Sequence, residues 1–115
     1  MIDGKEIRIG NKVLYNGKIV SVTKTHFSTH LKNGVFSAFN PVVLTHDILT
    51  KNLGCEHFSD AGIYKLNGYR LVKTGEPNIT FVLEPEFWSV EMTSLHLFMN
   101  TIYWLTGKEV VYKVV

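Results

Sequence analysis

The longest helical pattern of hydrophobic and polar residues lies near the carboxyl end of the chain, at residues 94–107. Apolar side chains recur there at helical spacing, Thr93 or Ser94 can cap the first turn, and Gly107 suits the left-handed conformation that ends many helices. One face collects the residues expected in the core, which are Leu95, Phe98, Met99, Ile102, Leu105 and Thr106. The pattern therefore predicts a core helix over Ser94–Gly107.

The other sides of this predicted helix are less polar than those of an ordinary surface helix. His96, Asn100 and Tyr103 form a polar edge, where we expect His96 and Asn100 to bond nearby backbone carbonyl groups. The back of the helix carries Leu97, Thr101 and Trp104. A helix that is apolar nearly all round is covered on more than one side, either by strands of its own chain or by a partner chain. These three residues are therefore the candidate partner-binding residues.

Short strands are predicted throughout the first 44 residues. Two Asn-Gly pairs, at 16–17 and 33–34, suit the two-residue turns of β-hairpins. The predicted strands cover 7–15 with an interruption at Gly10, 19–27, 29–32 and 35–39. Short strands joined by tight turns are typical of a small curved sheet or SH3-like barrel, so residues 1–44 are predicted to form an SH3-like β subdomain.

Residues 45–115 are predicted to complete a single α+β domain. Thr45 can cap a short helix that ends before Gly54, and a third Asn-Gly pair at 67–68 predicts a hairpin. In chain order we expect a helix at 45–53, strands at 63–66, 69–73, 79–83 and 87–90, the long helix, and a terminal strand at 110–115. The predicted β-meander packs on the C-terminal helix.

Composition narrows the class of protein. A chain of 115 residues with 45% hydrophobic and 19% charged residues fits one globular domain. A net charge of +2 argues against a dedicated nucleic-acid binder, although a local basic patch stays open. The single cysteine, Cys55, allows no internal disulfide and fits a reducing compartment. With no signal-like start and no long apolar run, we expect a cytoplasmic protein without membrane contact.

The candidate catalytic and metal-binding residues do not form a recognisable site. His26 and His30 have the spacing of a helical metal-binding pair, but their Thr and Phe neighbours favour a strand, which would separate them by ~13 Å. Cys55 beside His57 suits a partly buried thiol next to a surface imidazole, and the carboxylates Glu84, Glu86 and Glu91 surround a proline turn. We therefore expect no catalytic residue, metal or cofactor, and no enzyme.

Nucleic-acid binding is an alternative that the N-terminal sheet leaves open. Three lysines lie close in sequence to aromatic residues, the set being Lys12, Tyr15, Lys18, Lys24 and Phe27. Aromatic side chains can stack on bases while lysines hold phosphates. The same aromatics can equally fill the interior of a small barrel.

Three segments carry a resemblance to a family. The first is Ile7-Arg8-Ile9-Gly10-Asn11-x-Val13-x-Tyr15-Asn16-Gly17, the second is Pro41-Val42-Val43-Leu44-Thr45, and the third runs from Leu95 to Val110. Together they resemble small uncharacterised proteins of Bacteroidetes genomes and their phages or prophages, which begin L-R-I-G-N-x-V-x-Y-N-G and end V-H-Q-L-Q-N-L-Y-F-A-L-T-G-E-E-L. In the third segment, His96, Asn100, Leu105, Thr106, Gly107 and Glu109 match that ending. The resemblance implies a bacterial or phage cytoplasm and no particular activity.

Departures from the family pattern make this helix more apolar. Leu97 and Met99 stand where the pattern has Gln, and Trp104 stands where it has Ala. The leading expectation is a non-catalytic interaction protein of phage or mobile-element type that acts through protein–protein contacts, with a homodimer as one form. The alternatives are a nucleic-acid-binding module and a ligand-sequestering inhibitor of a bacterial defence system.

Overall fold

The computed structural model describes residues 1–58, 62–66, 69–73, 81–84 and 92–114. These residues form a mixed α+β structure, as predicted, with small antiparallel sheets and a long C-terminal helix. The strands are β1 Ile2–Asp3, β2 Lys12–Tyr15, β3 Lys18–Ser21, β4 Leu31–Lys32, β5 Val35–Phe36, β6 Phe39–Asn40, β7 Glu56–Phe58, β8 Ile63–Leu66, β9 Tyr69–Lys73 and β10 Phe81–Glu84. The helices are a 3-10 turn at Gly4–Glu6, α1 Lys24–His30, a π-helix at Ile48–Asn52 and α2 Leu95–Thr106.

The chain divides into two compact units. Unit 1 consists of Met1–Val42 and Ser94–Glu109, and unit 2 consists of Val43–Thr93 and Val110–Val115. Helix α2 belongs to unit 1, so this unit is assembled from both ends of the sequence.

Unit 1 contains two three-stranded antiparallel sheets, ordered β1-β5-β4 and β3-β2-β6. Asn16-Gly17 and Asn33-Gly34 form the predicted turns, with φ of 52° and 76° at the first pair and 54° and 76° at the second. Both sheets supply the buried hydrophobic cluster, which contains Ile2, Ile7, Val13, Val22, Phe36 and Phe39. The sheets do not close into a barrel within the described part of the chain.

The strand predicted for residues 19–27 is wrong in its second half. Strand β3 ends at Ser21, and α1 follows. Thr23 caps α1, because its Oγ1 accepts a hydrogen bond from His26 N at 3.3 Å while Thr23 N donates to His26 Nδ1 at 3.0 Å. Phe27 and Leu31 then pack against the core cluster. Thr, His and Phe are weak helix formers, which is why this capped segment resembles a strand in sequence.

The strand predicted over residues 7–15 is also shorter. Residues 8–11 form a turn in which Asn11 N donates to Arg8 O at 3.1 Å, and Gly10 takes a φ of 94°. Ile9, expected inside a strand, is 58% exposed at this turn. The Asn11 side chain closes the turn by accepting from Arg8 N at 2.7 Å.

Unit 2 begins with the predicted short helix. Thr45 Oγ1 accepts from Ile48 N at 3.2 Å, and the segment then widens into the π-helix, where Leu53 N donates to Ile48 O at 3.0 Å. Gly54 follows with a φ of 71°. The predicted helix is thus confirmed, with a wider second turn than expected.

The described strands of unit 2 form one antiparallel sheet, ordered β10-β9-β8-β7. The predicted hairpin strands pair with Leu66 opposite Tyr69, while strand β7 was not predicted. Asn67-Gly68, Ile79 and the strand expected at 87–90 lie outside the described residues.

The predicted terminal strand is wrong for the described residues 110–114, which contain no strand. Instead, Lys113 N donates to Asn52 O and Asn52 Nδ2 donates to Lys113 O, both at 2.7 Å. These two bonds attach the segment 110–114 to the end of the π-helix. None of the helices in the described ranges is long and apolar enough to cross a membrane.

Candidate functional site: the faces of helix α2

Helix α2 ends where the sequence predicts. Gly107 adopts a left-handed φ of 70° and donates its N–H to Tyr103 O at 2.8 Å. Ser94 occupies the N-cap position, but its buried hydroxyl makes no hydrogen bond within the described residues. Leu95 N, one of the first amides of the helix, donates instead to Val42 O at 2.8 Å. Backbone from the end of the N-terminal segment thus takes over part of the capping expected of Ser94.

The predicted core face of α2 is confirmed for its first two turns. Leu95, Phe98, Met99 and Ile102 are buried, whereas Leu105 and Thr106 are half-buried. The last turn is therefore less enclosed than the pattern implies.

Asn100 holds the polar edge of α2 against the N-terminal segment. Its Oδ1 accepts from Arg8 Nε at 2.8 Å and from Asn11 Nδ2 at 2.9 Å. Its Nδ2 donates to the backbone carbonyl of Glu6 at 2.7 Å, as the sequence analysis expects. Because Asn100 and Asn11 are both buried, these bonds satisfy amide groups that would otherwise be costly to remove from water.

Arg8 extends this contact to the end of the helix. Its guanidinium bonds both carboxylate oxygens of Glu109, at 2.6 and 3.2 Å, and its Cζ lies 4.1 Å from the centre of the Tyr103 ring. The side chains of Arg8 and Glu109 are 28% and 54% exposed, so solvent screens much of their attraction. The two-bond geometry of the Arg8–Glu109 pair therefore contributes more to this contact than the attraction between the two charges.

His96 lies beside this edge without the backbone bond that was predicted. The residue is 2% exposed, and neither ring nitrogen makes a hydrogen bond within the described residues. Burial lowers the pKa of His96 below its ordinary value, and the Glu6 carboxylate, 3.6 Å from Nε2, acts in the opposite direction. We conclude that His96 is a neutral core side chain near pH 7.

The back of α2 carries the most exposed side chain of the helix. Trp104 is 77% exposed, whereas Leu97 and Thr101 are half-buried. The three candidate partner-binding residues therefore differ in exposure, because the Trp104 side chain lies in solvent while Leu97 and Thr101 are partly covered. An exposed tryptophan is the residue type most enriched in interface hot spots.

The lysines of the N-terminal sheet do not share one surface. Lys12 pairs with Ser21 and Lys18 with Tyr15, at opposite ends of an alternating ladder, so the two lysines lie on opposite faces of the hairpin. Lys12 Nζ bonds Ser21 Oγ, and Lys24 begins α1. These positions do not assemble the basic stripe expected of a nucleic-acid groove.

The two candidate base-stacking residues, Tyr15 on β2 and Phe27 on α1, pack inward. The half-buried Tyr15 ring lies 5.7 Å from Phe39, centre to centre. Phe27 meets Phe36 edge to face at 5.1 Å. Their positions fit the interior-filling role that the sequence left open, and they offer little face for base stacking.

His26 and His30 lie on α1 and not on a strand, so the reason given above for separating them is wrong. Their ring centres are 5.8 Å apart on one face of the helix. His26 Nδ1 accepts the Thr23 amide proton, and the neutral ring therefore carries its own proton on Nε2. His26 acts as part of the helix cap.

Unit 2 contains a second histidine pair that the sequence analysis missed. His46 and His57 are exposed, with ring centres 4.7 Å apart, and both contact the buried Tyr64. His57 lies opposite Tyr64 in the β7–β8 ladder. No sequence spacing signals this group, because the contact depends on strand β7.

Cys55 is buried, more fully than predicted, and His57, two residues further along the chain, is exposed as predicted. Burial raises the pKa of the Cys55 thiol to about 12. The thiol is therefore protonated and unreactive near neutral pH. Glu86 and Glu91 lie outside the described residues, and the described ones contain no group of three or more metal-ligating His, Cys, Asp or Glu side chains.

Comparison of the chain with models of protein families, with curated proteins and with solved structures finds no match.

Proposed function

We propose that the protein is a non-catalytic interaction protein that binds another protein chain through the back of α2. Trp104 carries this proposal, since 77% of its surface is exposed on a helix whose opposite face is core. Burying the exposed part of a tryptophan side chain of roughly 200 Å² removes about 150 Å² of surface from water. This burial is worth about 4 kcal/mol of binding free energy before the costs of association are subtracted. One such anchor suits the centre of an interface.

A second copy of this chain is the occupant that we favour. Leu97 and Trp104 are two helical turns apart and lie on one line along α2. A twofold axis beside this line places the same surface of two α2 helices face to face. In such an interface, a residue near one end of the line contacts the residue near the other end in the second copy. We expect Trp104 of each copy to cover the half-buried Leu97 of the other.

The setting of the proposal follows the sequence resemblance to phage and prophage proteins of Bacteroidetes. An interaction protein of phage or mobile-element type, working in the bacterial cytoplasm, needs a binding surface and no reaction centre. We also propose that the N-terminal sheets are SH3-like. The support is that both small sheets contribute to one hydrophobic cluster.

Size-exclusion chromatography with light scattering tests the dimer. Wild type should approach twice the chain mass of 13.1 kDa as concentration rises, whereas Trp104→Ala and Leu97→Asp should remain at the monomer mass. Ile19→Ser serves as the matched control, because it removes another exposed aliphatic side chain from unit 1. Circular dichroism must show the same fold for all variants.

Three results decide between this proposal and its alternatives. A monomeric wild type that recovers no partner in a pull-down overturns the proposal. A monomer that captures one host or phage protein in a Trp104-dependent manner replaces the second copy with a different chain. Binding of a nucleic-acid probe that weakens steeply with salt, or a small molecule retained in native mass spectra, would favour the nucleic-acid or ligand-sequestering alternative.

A further inference from the structure

The exposed histidine pair of unit 2 has the features of a metal-binding site. His46 and His57 come from different elements, the segment before the π-helix and strand β7, yet their rings meet edge to face at a centre-to-centre distance of 4.7 Å. Both side chains are exposed, so an ion from solution reaches them without opening the fold. Imidazole nitrogen is a preferred ligand of zinc, copper and nickel.

The spacing of the two rings fits a shared ion. Metal–nitrogen bonds of about 2.0–2.1 Å place each ring centre roughly 3.2 Å from the metal, so two bound rings lie about 4.5 to 5.2 Å apart for bond angles of about 90 to 109°. The observed 4.7 Å falls within this range.

Tyr64 positions both imidazoles. Its hydroxyl lies 2.9 Å from His46 Nδ1, and its ring stacks on His57 at 4.6 Å. When His46 Nδ1 carries the ring proton, it donates to the tyrosine oxygen and leaves the lone pair of Nε2 for a metal. Metal-bound histidines commonly use their second nitrogen in this way, which fixes the tautomer and the ring orientation.

The histidine pair of α1 shows what a pair without these features looks like. His26 and His30 have ring centres 5.8 Å apart, beyond the range for two rings on one ion at those angles. His26 Nδ1 is occupied as an acceptor from Thr23 N, so its Nε2 bears a proton. The α1 pair is therefore an internal control within the same chain.

We propose that His46 and His57 form an open two-imidazole site for a divalent transition metal, with Tyr64 as its positioning residue. Because the described residues supply no third ligand of the His, Cys, Asp or Glu type, water completes the coordination of a single chain. Affinity follows the order Cu²⁺ above Ni²⁺ and Zn²⁺. The site is independent of the contact proposed for Trp104.

Titration of the untagged chain with CuCl₂, NiCl₂ and ZnCl₂ by calorimetry tests the site. We expect one Cu²⁺ per chain, and a loss of affinity of about tenfold or more in His46→Ala and in His57→Ala. Tyr64→Phe, which removes only the hydroxyl, should weaken binding by about tenfold while the ring still packs. The double variant His26→Ala/His30→Ala should bind as wild type does.

A second measurement uses the unmutated protein, so that the result does not depend on the folding of a variant. Substoichiometric Cu²⁺ should broaden the imidazole NMR signals of His46 and His57 first, and the electron paramagnetic resonance spectrum should show two coupled nitrogens. Unchanged affinity in His46→Ala/His57→Ala, first broadening at other groups such as the N-terminal amine, or no binding at millimolar metal would each overturn the proposal.

Discussion

His96 shows how a polar residue at a helix edge becomes part of the core. Its spacing from Asn100 groups the two residues on one side of α2, but their surroundings differ. Asn100 makes three hydrogen bonds to the N-terminal segment, whereas His96 has, among the described residues, only the Glu6 carboxylate at 3.6 Å. Sequence periodicity places both residues correctly and contains no information about which partners from the other end of the chain will reach them.

The buried His96 should make stability depend on pH. Because burial lowers its folded pKa, the unfolded chain, with an ordinary value of 6.5, binds a proton that the folded chain does not. The contribution of His96 is therefore complete above pH 6.5 and is lost as pH falls from there through the folded pKa. Between the two pKa values its share of the slope is positive, and its upper limit is about 1.4 kcal/mol per pH unit, the value for one proton.

Urea unfolding of wild type and His96→Gln, from about pH 5 to about pH 8, measures this share as a difference in slope. The variant should show the flatter dependence below pH 6.5, whatever its absolute stability. His57→Gln, which changes an exposed imidazole, is the control. Parallel curves for wild type and His96→Gln would mean that His96 is equally protonated in both states.

At the scale of elements, turns and helix ends that depend on their own residues were predictable from the sequence. Segments held by hydrogen bonds to residues far away in the sequence were not. The Asn-Gly turns and the Gly107 end of α2 follow from backbone preferences that each residue carries with it. Helix α1 was missed because its cap uses His26 where Glu or Gln is usual. The segment 110–114 was misassigned because its β-branched residues favour a strand in sequence, whether or not the segment pairs with another strand in the structure.

Thr23 should contribute measurably to the stability of α1. Its Oγ1 accepts from His26 N, and a helix of 7 residues has few other local bonds. We expect Thr23→Ala to lower the free energy of unfolding by about 1 kcal/mol. Thr23→Ser retains the hydroxyl and should remain within about 0.5 kcal/mol of wild type. Chemical denaturation compares the three proteins, and equal losses in both variants would show that the methyl group, not the cap, is responsible.

At the scale of the whole molecule, unit 1 depends on residues from both ends of the sequence. Residues Arg8 and Asn100 are 92 positions apart, and Arg8 and Glu109 are 101 apart. Arg8, Asn11, Asn100 and Glu109 are linked by hydrogen bonds here. Their role in this chain is therefore structural, and neither proposed binding surface uses them.

Asn100 is the residue through which this long-range contact can be measured. In Asn100→Ala, Asn11 Nδ2 and the Glu6 carbonyl lose their partner, so we expect a cost of about 2–3 kcal/mol in the free energy of unfolding. Thr101→Ala, at the next position of α2, should cost less than about 1 kcal/mol, because its half-buried side chain lies on the other side of the helix.

A double-mutant cycle with Arg8→Met then separates the bond itself from the loss of packing. Methionine retains much of the apolar stem of Arg8 and removes the Nε donor that bonds Asn100 Oδ1 at 2.8 Å. If the two ends of the chain are joined through this bond, the two substitutions should be non-additive by about 1 kcal/mol. Additive losses in urea denaturation would instead assign the stability of unit 1 to its hydrophobic cluster alone, with the polar edge of α2 serving only to satisfy buried amides.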